Sequence, residues 1–212
     1  MPPNPGHVII SHGLESGPEA AKAAALARVA GDLGWTHERP DYRDLAAIDL
    51  VVIHCTELPD LATARDYGER VLYDGGTGNS GHYYIDRDGT VHAFVARERV
   101  AHHTRGYNER SIGIELVNTG RYPHWLDSRH QAMAEPYTPA QVQALVALLA
   151  RLRAELPALA NIAGHEDLDT AQVPASDDPA RTVARKRDPG PLFPWAQVLA
   201  AVPLQRLAPS PP

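Results

Sequence analysis

The sequence predicts an α/β fold of the mixed α+β kind, one central sheet with helices packed on it. Three observations carry that expectation. Short β-branched apolar runs recur along the chain, and segments of helical period stand between them. Strands and helices therefore interleave rather than segregate. The apolar share of 43% over 212 residues is enough for one real core.

The elements read as follows. His7 to Ser11 (HVIIS) is a strand. Glu19 to Leu33 is Ala-rich and stops at Gly34, a helix with a glycine end. His37 to Tyr42 is a second strand, which completes a strand–helix–strand opening. Asp49 to His54 (DLVVIH) is a buried strand and Asp60 to Tyr73 a helix, followed by a loop from Asp74 to Ser80. His82 to Ile85 and Thr90 to Val95 form two strands, joined where Asp88-Gly89 signals a hairpin. Ser111 to Val117 (SIGIELV) is another buried strand, and Arg121 to Tyr137 is irregular. Thr138-Pro139 opens a helix to about Glu155, with Thr as N-cap and Pro at the first helical position. Val142, Leu145, Leu148, Leu149 and Leu152 keep the helical period within it. Asn161 to His165 is a short approach to a histidine, Asp169 to Arg185 a long loop, and Trp195 to Val202 a last helix. The Pro-rich tail from residue 203 is expected to be loose.

Composition narrows the function classes. The formal net charge is −6, so no global basic field for nucleic acid exists. No stretch approaches the roughly 18 apolar residues of a membrane span. Cys55 is the one cysteine, so an internal disulfide is impossible. Met1 to Pro5 does not read as a signal peptide, and the expected location is the cytoplasm. Eleven histidines are present, several beside strand ends or turns.

A catalytic zinc takes three ligands from His, Asp, Glu or Cys and leaves a position for water. His54 closes the apolar strand, and His165 follows Ile162-Ala163-Gly164, where glycine permits close backbone approach. Asp188 lies in RKRDPGP, 185–191. Taken singly, each has a bland reading: a core histidine bonded to a carbonyl, or a solvated turn. Glu115 is different. It sits inside the apolar strand Ser111–Val117, where a bare carboxylate is costly and must be paired, metal-linked or functional.

Six stretches, in order, carry a family resemblance: VVIHCTE (51–57), HYYIDRDGTV (82–91), AHHTRGYNERSIGIELVNTG (101–120), YTPAQVQALVALLARL (137–152), GHEDL (164–168) and RKRDPGPLF (185–193). Together they make the chain resemble the type-2 N-acetylmuramoyl-L-alanine amidases. That group includes the anhydro-muramyl recycling amidase, the phage lysozyme-type amidases and the peptidoglycan recognition proteins. The resemblance implies a central mixed sheet flanked by helices and a zinc hydrolase of peptidoglycan or muropeptides, acting in bacterial cell-wall degradation or recycling. It implies His54, His165 and Asp188 as zinc ligands and Glu115 as the carboxylate that orients and deprotonates the attacking water. Lys186 is implied as the cation beside the oxyanion. His103 is implied at the substrate cleft, with Tyr107 and Asn108 in the adjoining loop, although the neighbouring His102 complicates the register. Two neutral imidazoles and one carboxylate leave such a site with a charge of about +1. A non-catalytic peptidoglycan sensor on the same fold is the alternative; a secreted or phage-released lytic role is the alternative setting. The oligomeric state is left open.

The chain departs from the pattern in three places. The segment from His165 to Asp188 is long, and Asp167, Asp169, Asp177 or Asp178 in it competes with Asp188 as ligand. Gly81 stands where the phage type has a tyrosine. Cys55 neighbours His54, but adjacent strand residues face opposite ways, so it is expected to be a buried structural thiol turned from the metal. Three segments are expected: an extension 1–45 resembling the start of an α/β-hydrolase, an amidase domain 46–203, and the tail 204–212. No Gly-x-Ser-x-Gly elbow follows the extension, so His12-Gly13 has no hydrolase site to serve. The extension is read as a structural appendage, with a fusion remnant or a mis-set start codon as alternatives.

Overall fold

The computed structural model describes residues 6–10, 21–38, 43–70 and 78–207. His12 and Gly13 lie outside them. The chain opens with β1 (His7–Ile9), α1 (Ala21–Asp32) and β2 (Thr36–Glu38), and β1 pairs with β2 in parallel as a two-stranded sheet of its own. Then follow β3 (Leu50–Cys55), α2 (Leu61–Gly68), β4 (Tyr83–Ile85), β5 (Val91–Ala93), β6 (Ser111–Leu116), α3 (Pro139–Glu155) and β7 (Asn161–Gly164). Next come α4 (His165–Leu168), β8 (Gln172–Pro174), β9 (Thr182–Ala184), α5 (Trp195–Ala201) and β10 (Gln205–Arg206). The main sheet has six strands in the order β10-β7-β3-β6-β4-β5. It is mixed: β4–β5 is antiparallel and the other pairings are parallel.

Alternation along the central strands divides the sheet into two faces. Val51, Ile53, Ile112, Ile114 and Leu116 face α3 and α5 and form the main core with Leu145, Leu149, Leu152 and Val198. Each fully buried leucine there stabilises the fold by about 2 kcal/mol. The other face carries a smaller cluster of Leu50, Val52 and Ala163. Because β3 is covered on both faces, it reads as a continuous apolar run rather than an alternating one.

Three expectations change. The segment 169–185, expected as a loop, contains the antiparallel hairpin β8–β9, with Val173 opposite Val183. Three-residue strands broken by Pro174 carry too little periodicity to read from sequence. Within the tail expected to be loose, Gln205 and Arg206 join the sheet as β10, which runs parallel to β7, and Arg206 pairs with Asp167 at 3.0 Å. A helix was expected to reach Tyr73; α2 ends at Gly68, and residues 71–77 are not among those described.

Helix α3 starts on a full capping box. Thr138 Oγ1 accepts from the Gln141 N–H (3.1 Å), and the Gln141 side chain accepts from the Thr138 N–H (3.1 Å). The Thr138 hydroxyl also donates to the Arg87 carbonyl at 2.6 Å, tying the helix start to the β4–β5 turn. Thr138→Ala is expected to cost about 1–2 kcal/mol in urea denaturation; an unchanged midpoint would show that the cap is redundant.

His82 is fully buried beside the sheet, where its Nδ1 accepts from the Gly113 N–H at 3.0 Å. Burial, and then the Arg43 guanidinium 2.8 Å from Nε2, push its pKa down to about 3. An unfolded histidine takes up its proton near pH 6.5, roughly its ordinary value. Stability from the neutral ring is therefore complete above that pH and is lost as pH falls toward 3. His82→Asn keeps an acceptor for Gly113 and removes the titration. Its loss of stability between pH 7.5 and pH 5 in urea melts should be smaller than that of the parent; equal losses would refute the linkage.

Candidate functional site

Three parallel strands lie side by side in the order β7-β3-β6, and their carboxyl ends deliver the site. His54 is near the end of β3, opposite Glu115 of β6 in register. Gly164 closes β7 opposite Ile53, and His165 follows it at once. In open α/β sheets the crevice outside the strands' carboxyl ends is where ligands bind. Asp188 arrives from the connection between β9 and α5. Its carbonyl accepts from the Glu166 N–H at 2.9 Å. Gly164 allows that approach, since a Cβ there would sit 2.8 Å from Pro189 Cδ.

The Asp188 carboxylate joins the two histidines. Its Oδ2 lies 2.8 Å from His54 Nδ1 and 3.0 Å from His165 Nδ1. One ligand atom from each residue falls within 4.8 Å of the others, and all three residues are buried. Burial holds the His54 pKa down to about 4 against the Asp188 bond, so the ring is neutral and can donate a lone pair. Burial alone would raise Asp188, yet His165 and His54 keep it well below the ordinary carboxylate range. Two imidazoles and one carboxylate, buried and convergent, are a donor set that suits zinc in an open catalytic site.

Glu115 Oε1 stands 3.9 Å from His54 Nδ1. Burial, then the neighbouring Asp188, raise the Glu115 pKa to about 8, and Lys186 opposes them. A cleft of about 580 Å³ opens over these groups; Lys186, Arg105 and Arg185 line it as well. Its chemistry is a metal-capable centre, a carboxyl able to hold or release a proton near neutral pH, and a cationic wall.

The remaining expected residues divide. His103 lines the cleft, but its Nδ1 lies 3.0 Å from His54 Nε2, on the side of that ring away from Asp188. Asn108 also lines the cleft, while its Oδ1 accepts from the N–H groups of His103 (3.1 Å) and Thr104 (2.8 Å). It holds the loop that carries His103. Tyr107 is not at the cleft: its side chain packs on the Leu50, Val52 and Ala163 cluster. The acids that compete with Asp188 are engaged elsewhere. Asp167 pairs with Arg206, Asp169 with Arg185, Asp177 with Ser128, and Asp178 with Arg181. Cys55 alternates to the core side of β3, and burial pushes its thiol well up, leaving it unreactive.

Sequence reasoning missed the Glu57–Arg121 pair that walls the cleft. Arg121 Nε and Nη2 donate to Glu57 Oε1 and Oε2 at 2.7 and 2.9 Å, and Arg121 Nη1 donates to the Ala184 carbonyl at 2.9 Å. Nothing in a chain separation of 64 marks the two as partners. Thr104 and Ser111, which bond to the histidines, were missed as well; small hydroxyls carry no sequence signal of their own.

Residues 44–191 match the family model described as N-acetylmuramoyl-L-alanine amidase. An endolysin of Klebsiella phage KP32 is 35% identical over 96 residues, which is 45% of this chain and 58% of that protein. The 1,6-anhydro-N-acetylmuramyl-L-alanine amidase AmpD of Enterobacter cloacae is 34% identical over 122 residues, 53% of this chain and 51% of that one. The chain thus spans little more than half the length of these curated relatives. Among solved structures, the Escherichia coli amidase AmiD in complex with anhydro-N-acetylmuramic acid-L-Ala-D-γ-Glu-L-Lys superposes with a TM-score of 0.55 at 26% identity. That match covers 73% of this chain and 57% of AmiD.

Because the Arg121 side chain is 1% exposed, replacing it leaves the Glu57 carboxylate buried without its partner. Arg121→Leu is expected to lose about 3–5 kcal/mol in urea denaturation. A loss below 1 kcal/mol would show that the pair is solvated in solution.

Proposed function

The chain belongs to the N-acetylmuramoyl-L-alanine amidase family, and on that premise we propose that it hydrolyses the amide between the lactyl group of (anhydro-)N-acetylmuramic acid and L-alanine with a zinc ion held by His54, His165 and Asp188. The observation that carries the reading is the convergence of those side chains with Glu115 in one cleft. A bound zinc would supply Lewis acidity, polarising the scissile carbonyl and lowering the pKa of a water.

The chain's own residues do the rest. Glu115 takes a proton from the attacking water at a carboxylate oxygen as the water oxygen bonds to the carbonyl carbon. It returns that proton to the alanine nitrogen as the C–N bond breaks. In the metal-free centre burial, then Asp188, raise the Glu115 pKa to about 8; a cation held by the three side chains would lower it and favour the carboxylate form that accepts the water's proton. Lys186, on the wall of the same cleft, donates to the oxyanion that develops at the carbonyl. The muropeptide in AmiD and the amidase name of AmpD support this substrate class. Relatives named as a 1,6-anhydro amidase and as phage endolysins support a recycling and a lytic setting alike. No helix among the described residues is long and apolar enough to cross a membrane.

The test is mass spectrometry of products from anhydro-muropeptide and from intact sacculi. Release of the peptide from the sugar, abolished by chelator and restored by zinc, is the expected outcome. Glu115→Gln should lower turnover by at least 10²-fold while zinc content stays at one per chain. Substrate binding without cleavage by the zinc-loaded parent would overturn the enzyme reading in favour of a sensor.

A further inference from the structure

Resting on that zinc reading, we propose that His103 is a positioning residue for His54, acting through a one-way hydrogen-bond relay that ends on the Tyr107 backbone. The geometry begins at His54. Its Nδ1 points at Asp188 Oδ2, 2.8 Å away, so Nδ1 is the nitrogen that shares the centre with His165. Its Nε2 points the other way, 3.0 Å from His103 Nδ1 and 3.3 Å from Thr104 Oγ1.

The polarity follows from the donor inventory. A neutral imidazole that gives Nδ1 to a metal carries its proton on Nε2. His54 Nε2–H must therefore donate. It reaches His103 Nδ1 directly, or through the Thr104 hydroxyl, which is itself 3.0 Å from that nitrogen. On either route His103 Nδ1 accepts, which puts the His103 proton on Nε2. That N–H faces Ser111 Oγ at 3.3 Å. The Ser111 hydroxyl donates onward to the Tyr107 carbonyl at 2.7 Å and keeps a lone pair for His103. Each donor has an acceptor, and with Nδ1 as the metal-binding nitrogen no reversed set of tautomers satisfies every contact.

The surroundings are built for this ring. At Gly113 a Cβ would stand 2.6 Å from His103 Cγ, so only glycine leaves the space. Asn108 grips the backbone on both sides of the ring by accepting from two successive N–H groups. The His54 and His103 rings meet edge to face with centroids 5.1 Å apart. Metal-binding histidines ordinarily donate their second N–H to a carboxylate, a backbone carbonyl or water. A neutral imidazole in that place orients the ligand through a weaker, neutral bond and adds no negative charge behind it.

The readout is zinc affinity measured by competition with a chromophoric chelator. His103→Leu removes the acceptor and should weaken zinc binding about 10–100-fold. His103→Asn offers an oxygen near the Nδ1 position and should recover most of that loss. Ser111→Ala should weaken binding a few-fold. In nitrogen-15 spectra of the zinc-loaded parent, His54 should show a protected Nε2–H, lost in His103→Leu. Circular dichroism of the metal-free variants checks folding; if the leucine variant is unfolded, the asparagine and alanine variants and the parent spectrum carry the test. Parent protein that binds no zinc would overturn the zinc reading, and the relay with it. Parent that binds zinc, with equal affinity in folded His103→Leu or with Nε2 of His54 unprotonated, would overturn the relay alone. So would His103→Asn binding as weakly as His103→Leu, because that result marks loss of packing rather than of an acceptor.

Discussion

A single carboxylate, Asp188, shared between two buried imidazoles, sets the terms for the rest of the molecule. Its Oδ2 is within 3.0 Å of both His54 and His165. A buried carboxylate without such partners is too costly to keep ionised. The chain must therefore bring three distant segments to one point and hold them there. It does so with rigid parts: His54 lies near the end of β3, His165 follows the adjacent β7, and Asp188 is anchored by its own carbonyl to the first turn of α4. The main core, on the opposite face of the same strands, fixes the sheet that aims them.

The same constraint explains how other charge is managed around the cleft. Glu57 is buried close by, and it is tolerated because Arg121 clamps it from two nitrogens. Among the described residues Glu115 has no guanidinium clamp of that kind. Burial, then the neighbouring Asp188, raise its proton affinity into the neutral range. One acid is clamped by a cation and serves the wall; the other has only the more distant Lys186 to offset its burial. The difference lies in the partners rather than in the residue type.

Legibility followed the same physics. The strand under His54 was readable because Leu50 to Ile53 form one apolar run, and Glu115 stood out because a carboxylate there breaks such a run. The start of α3 was readable because Thr138-Pro139 is local chemistry. What could not be read depends on contacts distant in sequence. Tyr107 belongs to the cleft's supporting layer because its ring meets Leu50, Val52 and Ala163. His103, on a loop, faces His54 because Gly113, ten residues on in β6, leaves room for the ring. Strand β10 has two residues, too few to show any period, and is defined by its register with Asn161 and Ile162.

The long excursion between His165 and Asp188 shows why such an insertion does not loosen the centre. Its ends are tied before the hairpin begins. Arg185 pairs with Asp169, and the Arg185 N–H donates to the Ala171 carbonyl at 2.8 Å. Arg121, already fixed by Glu57, donates to the carbonyl of Ala184. Beyond that tie the chain turns through β8 and β9, and Ser176 and Asp177 fasten it to Leu126 and Ser128 on the neighbouring loop. The entropy of closing a loop grows only slowly with its length, and closing it at the base removes most of the remaining freedom of its ends. For His165 and Asp188, the connection is effectively the few residues between His165 and Asp169 and between Arg185 and Asp188. The acids of the insertion serve this closure: Asp169 at its base and Asp177 at its far side hold the hairpin in place, which leaves Asp188 as the carboxylate that reaches the two histidines.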